Sequence, residues 1–170
     1  MSLANEEQLA LLRQGVERWN QWRLENSHVA IDLREADLSH GRLSYVDLSN
    51  ANLEKVNFRK ADLRYANLSK TNLHIANLSY ADMTQANLFH ADLQVANLDK
   101  TNLKKANLEL ANLSWAGLIH ANLLDANLHE ANLHGANLNS ANLYRAVLSK
   151  AILEGTDLKG ATLPDGSVHY

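Results

Sequence analysis

Eight histidines are the side chains of this chain best suited to bind a metal ion or to act as a general base. They are His28, His40, His74, His90, His120, His129, His134 and His169. Together with the Asp and Ser residues they would suffice for a metal centre or a Ser–His–Asp site, provided that three of them converge. The sequence contains no cysteine, which excludes disulfides, thiolate metal sites and thiol redox chemistry. Whether any of these side chains meet depends on the elements that carry them.

Residues 31–165 consist of one five-residue unit in tandem. The units run IDLRE, ADLSH, GRLSY, VDLSN, ANLEK and onward to ATLPD, without an insertion or deletion. The central residue of each unit has a number ending in 3 or 8, and it is leucine from Leu33 to Leu163 except at Phe58 and Met83. Twenty-seven units in phase indicate a repeat architecture.

A strict period of five excludes both regular secondary structures. On an α-helix, five residues advance by about 500°, so the leucines would spiral around every side. In a straight β-strand, an odd period places successive leucines on opposite faces. The chain must therefore bend once per unit. The first residue and the central leucine then face inward, the Asn or Asp between them faces outward, and the last two residues form a corner.

The tandem A[D/N]LXX units closely resemble the pentapeptide-repeat family over roughly four-fifths of the chain. This resemblance implies an all-β solenoid: a right-handed quadrilateral β-helix with 20 residues per coil and about seven coils over residues 31–165. The preceding stretch LLRQGVERWNQWR is also similar to that of cyanobacterial members. At about 4.8 Å between neighbouring strands, the rod would be roughly 30–35 Å long.

Residues 1–30 depart from the period and are predicted to form an N-terminal capping helix over residues 5–25. Leu9, Leu12, Val16 and Trp19 lie three or four positions apart and form one apolar stripe. Asn5 suits an N-cap, with the residue three positions later, Gln8, as its capping-box partner. We expect the stripe to cover the first coil. A detached arm that recruits a partner is the alternative.

Residues 166–170 form a short C-terminal tail after the last complete unit. The segment LPDGSVHY predicts a turn and contains no pattern for a second helix. The last coil therefore needs another cover for its open edge. A homodimer that joins two C-terminal coils would supply it.

The 20-residue coil implied by the resemblance places residues in columns along the rod. The predicted core ladder contains Leu53, Leu73, Leu93, Leu113 and Leu133. Ile75, Val95 and Trp115 are expected to stack at one corner, and with Leu110 one side before it and Ile119 one side after it they form the candidate interaction patch. Trp is favoured at binding hot spots, but β-branched residues and Trp also simply stack well along a solenoid.

A candidate basic face lies on other columns of the same coil. It comprises Arg59, Lys60, Arg64, Lys100, Lys104 and Lys105, with Tyr45, Tyr65 and Tyr80 nearby. Basic residues interleaved with aromatics could hold an anionic partner. Asp62, Asp82 and Asp99 interrupt the face, which argues against nucleic acid and for an ordinary solvated surface.

The same columns separate the candidate chemical residues. His74 and His134 share a column but lie three coils apart, while His129 and His134 lie on adjacent sides and point apart. A convex rod also has no concave pocket in which a triad could be buried. We therefore predict no metal site, no cofactor and no catalytic residues, so the protein is not expected to be an enzyme.

Charge and segment patterns narrow the function further. The formal net charge is only −3, and the chain has neither a secretory signal nor an apolar run long enough to span a membrane, so a cytoplasmic location is expected. The sequence predicts a structural interaction module that binds a protein partner or itself. The alternative comes from family members that mimic DNA and bind DNA gyrase, but such members have a strongly negative rod and inserted loops, which this sequence lacks.

Overall fold

In the computed structural model, which describes residues 4–170, the repeat region is a four-sided β-helix. Its β-structure consists of isolated parallel bridges, each of which joins the second residue of one unit to the residue 20 positions later. The first bridge joins Asp32 to Asn52, and the last parallel bridge joins Asn142 to Thr162. This register gives four units per coil, as the resemblance implied.

We number the sides in chain order, so that sides 1, 2, 3 and 4 begin at residues 31, 36, 41 and 46 and recur every 20 residues. Each side ends in a two-residue corner that takes the same number. The second corner residue has a left-handed φ, for example 58° at Ile75. The following N–H closes the turn, as that of Ala76 does on the Leu73 carbonyl at 3.0 Å. A positive φ at only the third residue of a turn is the pattern of type II.

The leucines fill the interior, and the outward Asn residues connect coils and corners. Every leucine of the core ladder is fully buried, namely Leu53, Leu73, Leu93, Leu113 and Leu133. Asn112 illustrates the outward position: its Oδ1 accepts the N–H of Ser114 at 3.2 Å, and its Nδ2 donates to Asp92 Oδ1 of the preceding coil at 3.2 Å. One amide thus supports its own corner and joins two coils.

The N-terminal segment forms two helices, α1 over Glu6–Arg13 and α2 over Val16–Glu25. The expectation of a single helix over residues 5–25 was therefore wrong. Gly15 breaks the helix because it adopts a φ of 121°, which is far from helical and which glycine tolerates better than any other residue. Neither helix is long and apolar enough to cross a membrane, and from residue 4 onward no other helix is present.

The start of α1 is fixed by side chains. Asn5 Oδ1 accepts the N–H groups of Glu7 and Gln8, both at 3.1 Å, and so caps the helix. Gln8 does not complete a capping box. Its Nε2 instead donates to the Ala30 carbonyl and its Oε1 accepts the Asp32 N–H, each at 2.9 Å, which attaches α1 to the first coil.

Candidate interaction surfaces

Corner 1 carries three successive apolar residues that are exposed to solvent. Ile75, Val95 and Trp115 occupy the second corner position of consecutive coils, with 44%, 49% and 59% of their surfaces exposed. All three have a φ between 58° and 60°, in the left-handed region. That conformation is unfavourable for bulky side chains and especially for β-branched ones such as Ile and Val. We call this group the apolar corner.

The indole of Trp115 lies over the next residue of its column, Gly135. A Cβ atom at Gly135 would lie only 2.6 Å from the indole Cε3 atom, so glycine is required for this placement. The imidazole of His134 meets the indole edge-on, with 5.2 Å between ring centroids. Sequence reasoning missed this support, although a glycine 20 residues after the tryptophan was its visible signal.

The other two members of the predicted patch lie elsewhere. Leu110 belongs to corner 4 and Ile119 to corner 2, so each is one side away from Trp115. Leu110 is exposed and Ile119 is partly buried. The structure therefore brings Ile75, Val95 and Trp115 together but does not add Leu110 or Ile119 to the same corner.

The predicted cap residues cover the N-terminal end of the rod. Leu9, Leu12 and Trp19 are buried in the common core, and Val16 packs against it in a partly buried position. Trp19 also donates its indole N–H to the Asp47 carbonyl at 2.8 Å.

Two further residues of α2, not anticipated from the sequence, bond the edge of side 4. Asn20 accepts the Asp47 N–H at 2.9 Å and donates to the Tyr45 carbonyl at the same distance. A guanidinium N–H of Arg23 donates to the Ser49 carbonyl at 2.9 Å.

The six residues of the candidate basic face divide between two corners. Arg59, Lys60 and Lys100 lie at corner 2, whereas Arg64, Lys104 and Lys105 lie at corner 3, so the two groups flank side 3. Arg64 is not free to bind an anion, because it forms a salt bridge of 2.7 Å with Asp62 and a second contact of 4.0 Å with Asp82. Hydrogen bonds from the Arg64 side chain lower the pKa of Asp62.

Aromatic rings order both corners. The centroid of the Tyr80 ring lies 5.6 Å from the Arg59 Cζ atom and 5.2 Å from the Lys100 Nζ atom. Lys100 Nζ also donates to the Tyr80 hydroxyl at 3.2 Å. At corner 3, Tyr45 and Tyr65 stack with 4.7 Å between centroids and 7° between planes.

The histidines remain dispersed. No three His, Asp or Glu side chains among residues 4–170 are grouped so that they could hold a metal ion. His129 Nδ1 lies 2.7 Å from the Ser149 hydroxyl, and His134 Nδ1 lies 4.0 Å from a Glu154 carboxylate oxygen, so each has only a local polar neighbour.

One outward position shows a compensation that sequence reasoning missed. Gly117 stands where most units have Asn or Asp, so the Ile119 N–H lacks its usual acceptor two residues earlier. Asp99 of the preceding coil replaces it: its Oδ1 accepts the Ile119 N–H at 2.9 Å.

The C-terminal end remains partly open. The backbone N–H groups of seven residues near this end have no acceptor within the described residues: Leu148, Ser149, Lys150, Leu153, Glu154, Gly155 and Leu158. The tail covers the rest of the edge, where Gly160 and Leu163 donate to the carbonyls of His169 and Ser167. Val147, Ile152 and Leu153 are exposed beside the open donors.

The fold and these surfaces define a repeat solenoid whose chemistry lies in its outward columns. The family model for pentapeptide repeats matches the chain in eight copies, at residues that include 31–69, 57–94, 66–104, 96–134, 106–143 and 126–164. The chain therefore belongs to the pentapeptide-repeat family. The right-handed quadrilateral β-helix expected from the sequence is confirmed.

Solved structures of the family resemble the chain to different degrees. HetL of the cyanobacterium Nostoc sp. strain PCC 7120, described as involved in heterocyst differentiation regulation, is 37% identical, with 81% of this chain and 76% of HetL covered and a TM-score of 0.43. A pentapeptide repeat protein of the cyanobacterium Cyanothece 51142 is 30% identical over 89% of this chain and 97% of that one, with a TM-score of 0.51. The fluoroquinolone resistance protein QnrB1 is 17% identical to this chain, with 79% of this chain and 82% of QnrB1 covered and a TM-score of 0.37. No curated protein matches the chain.

Proposed function

We propose that this protein is a rigid, non-enzymatic scaffold that binds a protein partner through the apolar corner. The observation that carries the proposal is the combination of exposure and strain at Ile75, Val95 and Trp115. Bulky residues in a left-handed conformation cost about 1–2 kcal/mol each relative to a residue that suits it. The same column elsewhere holds Glu35, Lys55 and two glycines, so the fold itself does not require apolar residues there. The left-handed φ is shared by all four corners, but among the non-glycine residues that adopt it only Ile75 and Val95 are β-branched, and β-branched residues tolerate it least.

The surroundings fit a protein partner. The first corner residues beside the ladder are His74, Gln94, Ser114 and His134, a polar set that contains no Asp, Glu, Lys or Arg. An apolar centre with a polar rim is typical of protein interfaces, and Trp is enriched among the residues that dominate their binding free energy. The ordered indole of Trp115 is the part of the corner that we expect to enter a pocket of the partner.

The test compares affinity capture by the wild-type protein with capture by an Ile75→Asn, Val95→Asn, Trp115→Ser variant. The affinity of each captured protein is then measured after purification. We expect the corner variant to weaken binding by at least about tenfold, since loss of one hot-spot residue alone costs about 2 kcal/mol or more. Leu24→Ser is the matched control, because Leu24 is an exposed apolar residue on α2. Equal affinities of the corner variant and the wild type would refute the proposal.

The open C-terminal end favours a second candidate, self-association of two C-terminal coils. Its support is the row of unpaired N–H donors next to exposed Val147, Ile152 and Leu153. Sedimentation velocity over a range of concentrations tests it. A strict monomer at every concentration would exclude this homodimer.

The distribution of charge offers no support for the DNA-mimic alternative. Acidic corner residues alternate with basic ones along the same columns: Glu35 pairs with Lys55 at 3.8 Å, and Glu130 pairs with Lys150 at 2.8 Å. A mimic of the phosphate backbone needs a continuous negative surface. A gyrase supercoiling assay that shows neither inhibition nor protection would exclude the DNA-mimic alternative. The cytoplasmic location expected from the sequence stays a prediction.

A further inference from the structure

Corner 2 contains a cluster of cationic residues that takes no part in the binding proposed for the apolar corner. Arg59, Lys60 and Lys100 are all exposed and belong to coils two to four. None of the three has a salt bridge within the described chain, in contrast to Arg64 of the neighbouring corner. Because like charges repel one another, an anion bound among these three cations would offset their repulsion.

Tyr80 fixes the geometry of this cluster. It stands in the corner 2 column between Lys60 and Lys100, and its ring centroid lies 5.6 Å from Arg59 Cζ and 5.2 Å from Lys100 Nζ. The hydroxyl accepts a bond from Lys100 at 3.2 Å. A flexible lysine that is already ordered loses less conformational entropy when it binds an anion.

Three acids lie near the cluster, and each is engaged elsewhere. Asp62 and Asp82 on side 3 contact Arg64. Asp99 at corner 2 directs Oδ1 to the Ile119 N–H of the next coil. These carboxylates would repel a polyanion with a charge at every position, such as a nucleic acid. A peptide can place neutral residues opposite them.

We propose that corner 2, formed by Arg59, Lys60, Tyr80 and Lys100, binds an acidic, extended protein segment whose carboxylates recur about every third residue. The spacing follows from the coil: Lys60 and Lys100 are two coils apart, or about 10 Å, and three residues of an extended chain span about the same distance. This surface is separate from the apolar corner, so the two sites can be tested independently.

The test measures binding of a fluorescein-labelled peptide of roughly 15 residues with the repeat Glu-Ser-Gly, by fluorescence anisotropy at about 50 mM NaCl, where screening is weak. We expect a K60E/K100E variant to reduce affinity on the order of tenfold. A Y80L variant, which leaves the net charge unchanged, should reduce it by about threefold to fivefold because it releases the two ordered cations.

The matched control is R18E/K70E, which changes the net charge by the same amount at exposed cations of α2 and corner 4, away from corner 2. It should leave the affinity within about twofold of wild type. Three results would overturn the proposal: no binding of the Glu-Ser-Gly peptide by the wild type, an equal effect of the control variant, or tighter binding of a thymidine oligonucleotide of equal length. The last result would identify the surface as a nucleic-acid site.

Discussion

The two ends of the rod solve the same problem in different ways. At the N-terminal end, side chains of α1 and α2 bond the backbone of the first coil, Gln8 at Asp32 and Trp19 at Asp47, and the backbone N–H of Asn5 donates to the Asp32 carbonyl. At the C-terminal end, seven N–H donors between residues 148 and 158 have no acceptor among residues 4–170, and only the tail covers part of the edge. A solenoid has open edges only at its ends, so stability and association are both decided there.

The outward ladder differs between the ends as well. Asp32, Asp37 and Asp47 start it at the first coil, whereas Val147 and Ile152 replace Asn near its other end. In the middle of the rod, the loss of Asn at Gly117 is compensated by Asp99. The Ser149 and Glu154 N–H groups have no such replacement acceptor in the described structure. The loss of an outward Asn is therefore compensated in the middle of the rod, and it is not compensated at Val147 and Ile152 near the open end.

The largest effect should come from removing the N-terminal cover. Trp19→Ala deletes a fully buried side chain and its bond to the Asp47 carbonyl, so we expect the free energy of unfolding to fall by about 3–5 kcal/mol. Urea denaturation followed by circular dichroism measures it. Leu24→Ala, at a position of α2 with 77% of its surface exposed, should change stability by less than about 0.5 kcal/mol. A small effect of Trp19→Ala would contradict the capping role of α2.

The second comparison uses one substitution at two depths. Leu93→Ala in the fully buried ladder should reduce the free energy of unfolding by about 2–5 kcal/mol. Leu153→Ala in the open coil should reduce it by less than about 1 kcal/mol, because 38% of Leu153 is exposed. Equal losses in urea denaturation would mean that the C-terminal coil is covered in solution.

The compensation at mid-rod can be broken and restored. Asp99→Ala removes the acceptor of the Ile119 N–H, so the free energy of unfolding should fall by about 1–3 kcal/mol. Adding Gly117→Asn should recover most of that loss, because the introduced amide supplies the acceptor used in other units. A double-mutant cycle in urea gives the coupling energy. Additive effects would show that Asp99 does not act through this bond.

The absent ladder residue at the C-terminal end can be supplied. Ile152→Asn should raise the free energy of unfolding by about 0.5–1 kcal/mol, since its amide would accept the Glu154 N–H and donate to Asn132. It should also weaken the proposed self-association by replacing an exposed apolar residue. Lys159→Ala, at an exposed position near the same end but outside the ladder, is the control. A less stable Ile152→Asn variant would contradict this account of the open end.

Acid should destabilise the fold through carboxyl groups whose pKa values are lowered, and this should be the smallest effect of the series. Hydrogen bonds from Arg34, Ser39 and Arg64 lower the pKa values of Asp32, Asp37 and Asp62. Because the folded values lie below the ordinary 3.8, these groups stabilise the fold above that pH and lose the effect as pH falls through the folded values. Urea midpoints for Asp62→Asn should therefore fall less than those of wild type between about pH 5 and pH 3. A wild-type midpoint unaffected by acid would disprove the linkage.

Much of the rod followed from the sequence because each unit repeats one physical instruction. The inward Ala and Leu, the outward Asn and the corner positions all depend on local spacing, so the core ladder from Leu53 to Leu133 could be read directly. The 20-residue register did not follow from spacing alone; it came from the family resemblance and appears in every parallel bridge.

The remaining features depend on geometry that spans several elements. The break at Gly15 required knowing where α2 must cross the first coil, and propensity alone suggested only a weakened helix. The Asp99 bond to Ile119 and the indole over Gly135 both join residues one coil apart, at positions where the unit pattern is broken. The repeat pattern predicts the contacts that all units share, but it does not predict which contacts form at exceptional positions such as Gly117 and Gly135.

The 20-residue register has a consequence for how such a rod can change. Insertion of four units would lengthen it and return every downstream column to the same side. Insertion of one unit would instead turn everything beyond it by a quarter circle about the axis, while each leucine still pointed inward. The angle about the rod axis between the α1–α2 cap and the open C-terminal edge is thus set by the number of units modulo four. A change of binding geometry in this architecture requires only a duplication of five codons, with no alteration of the interior.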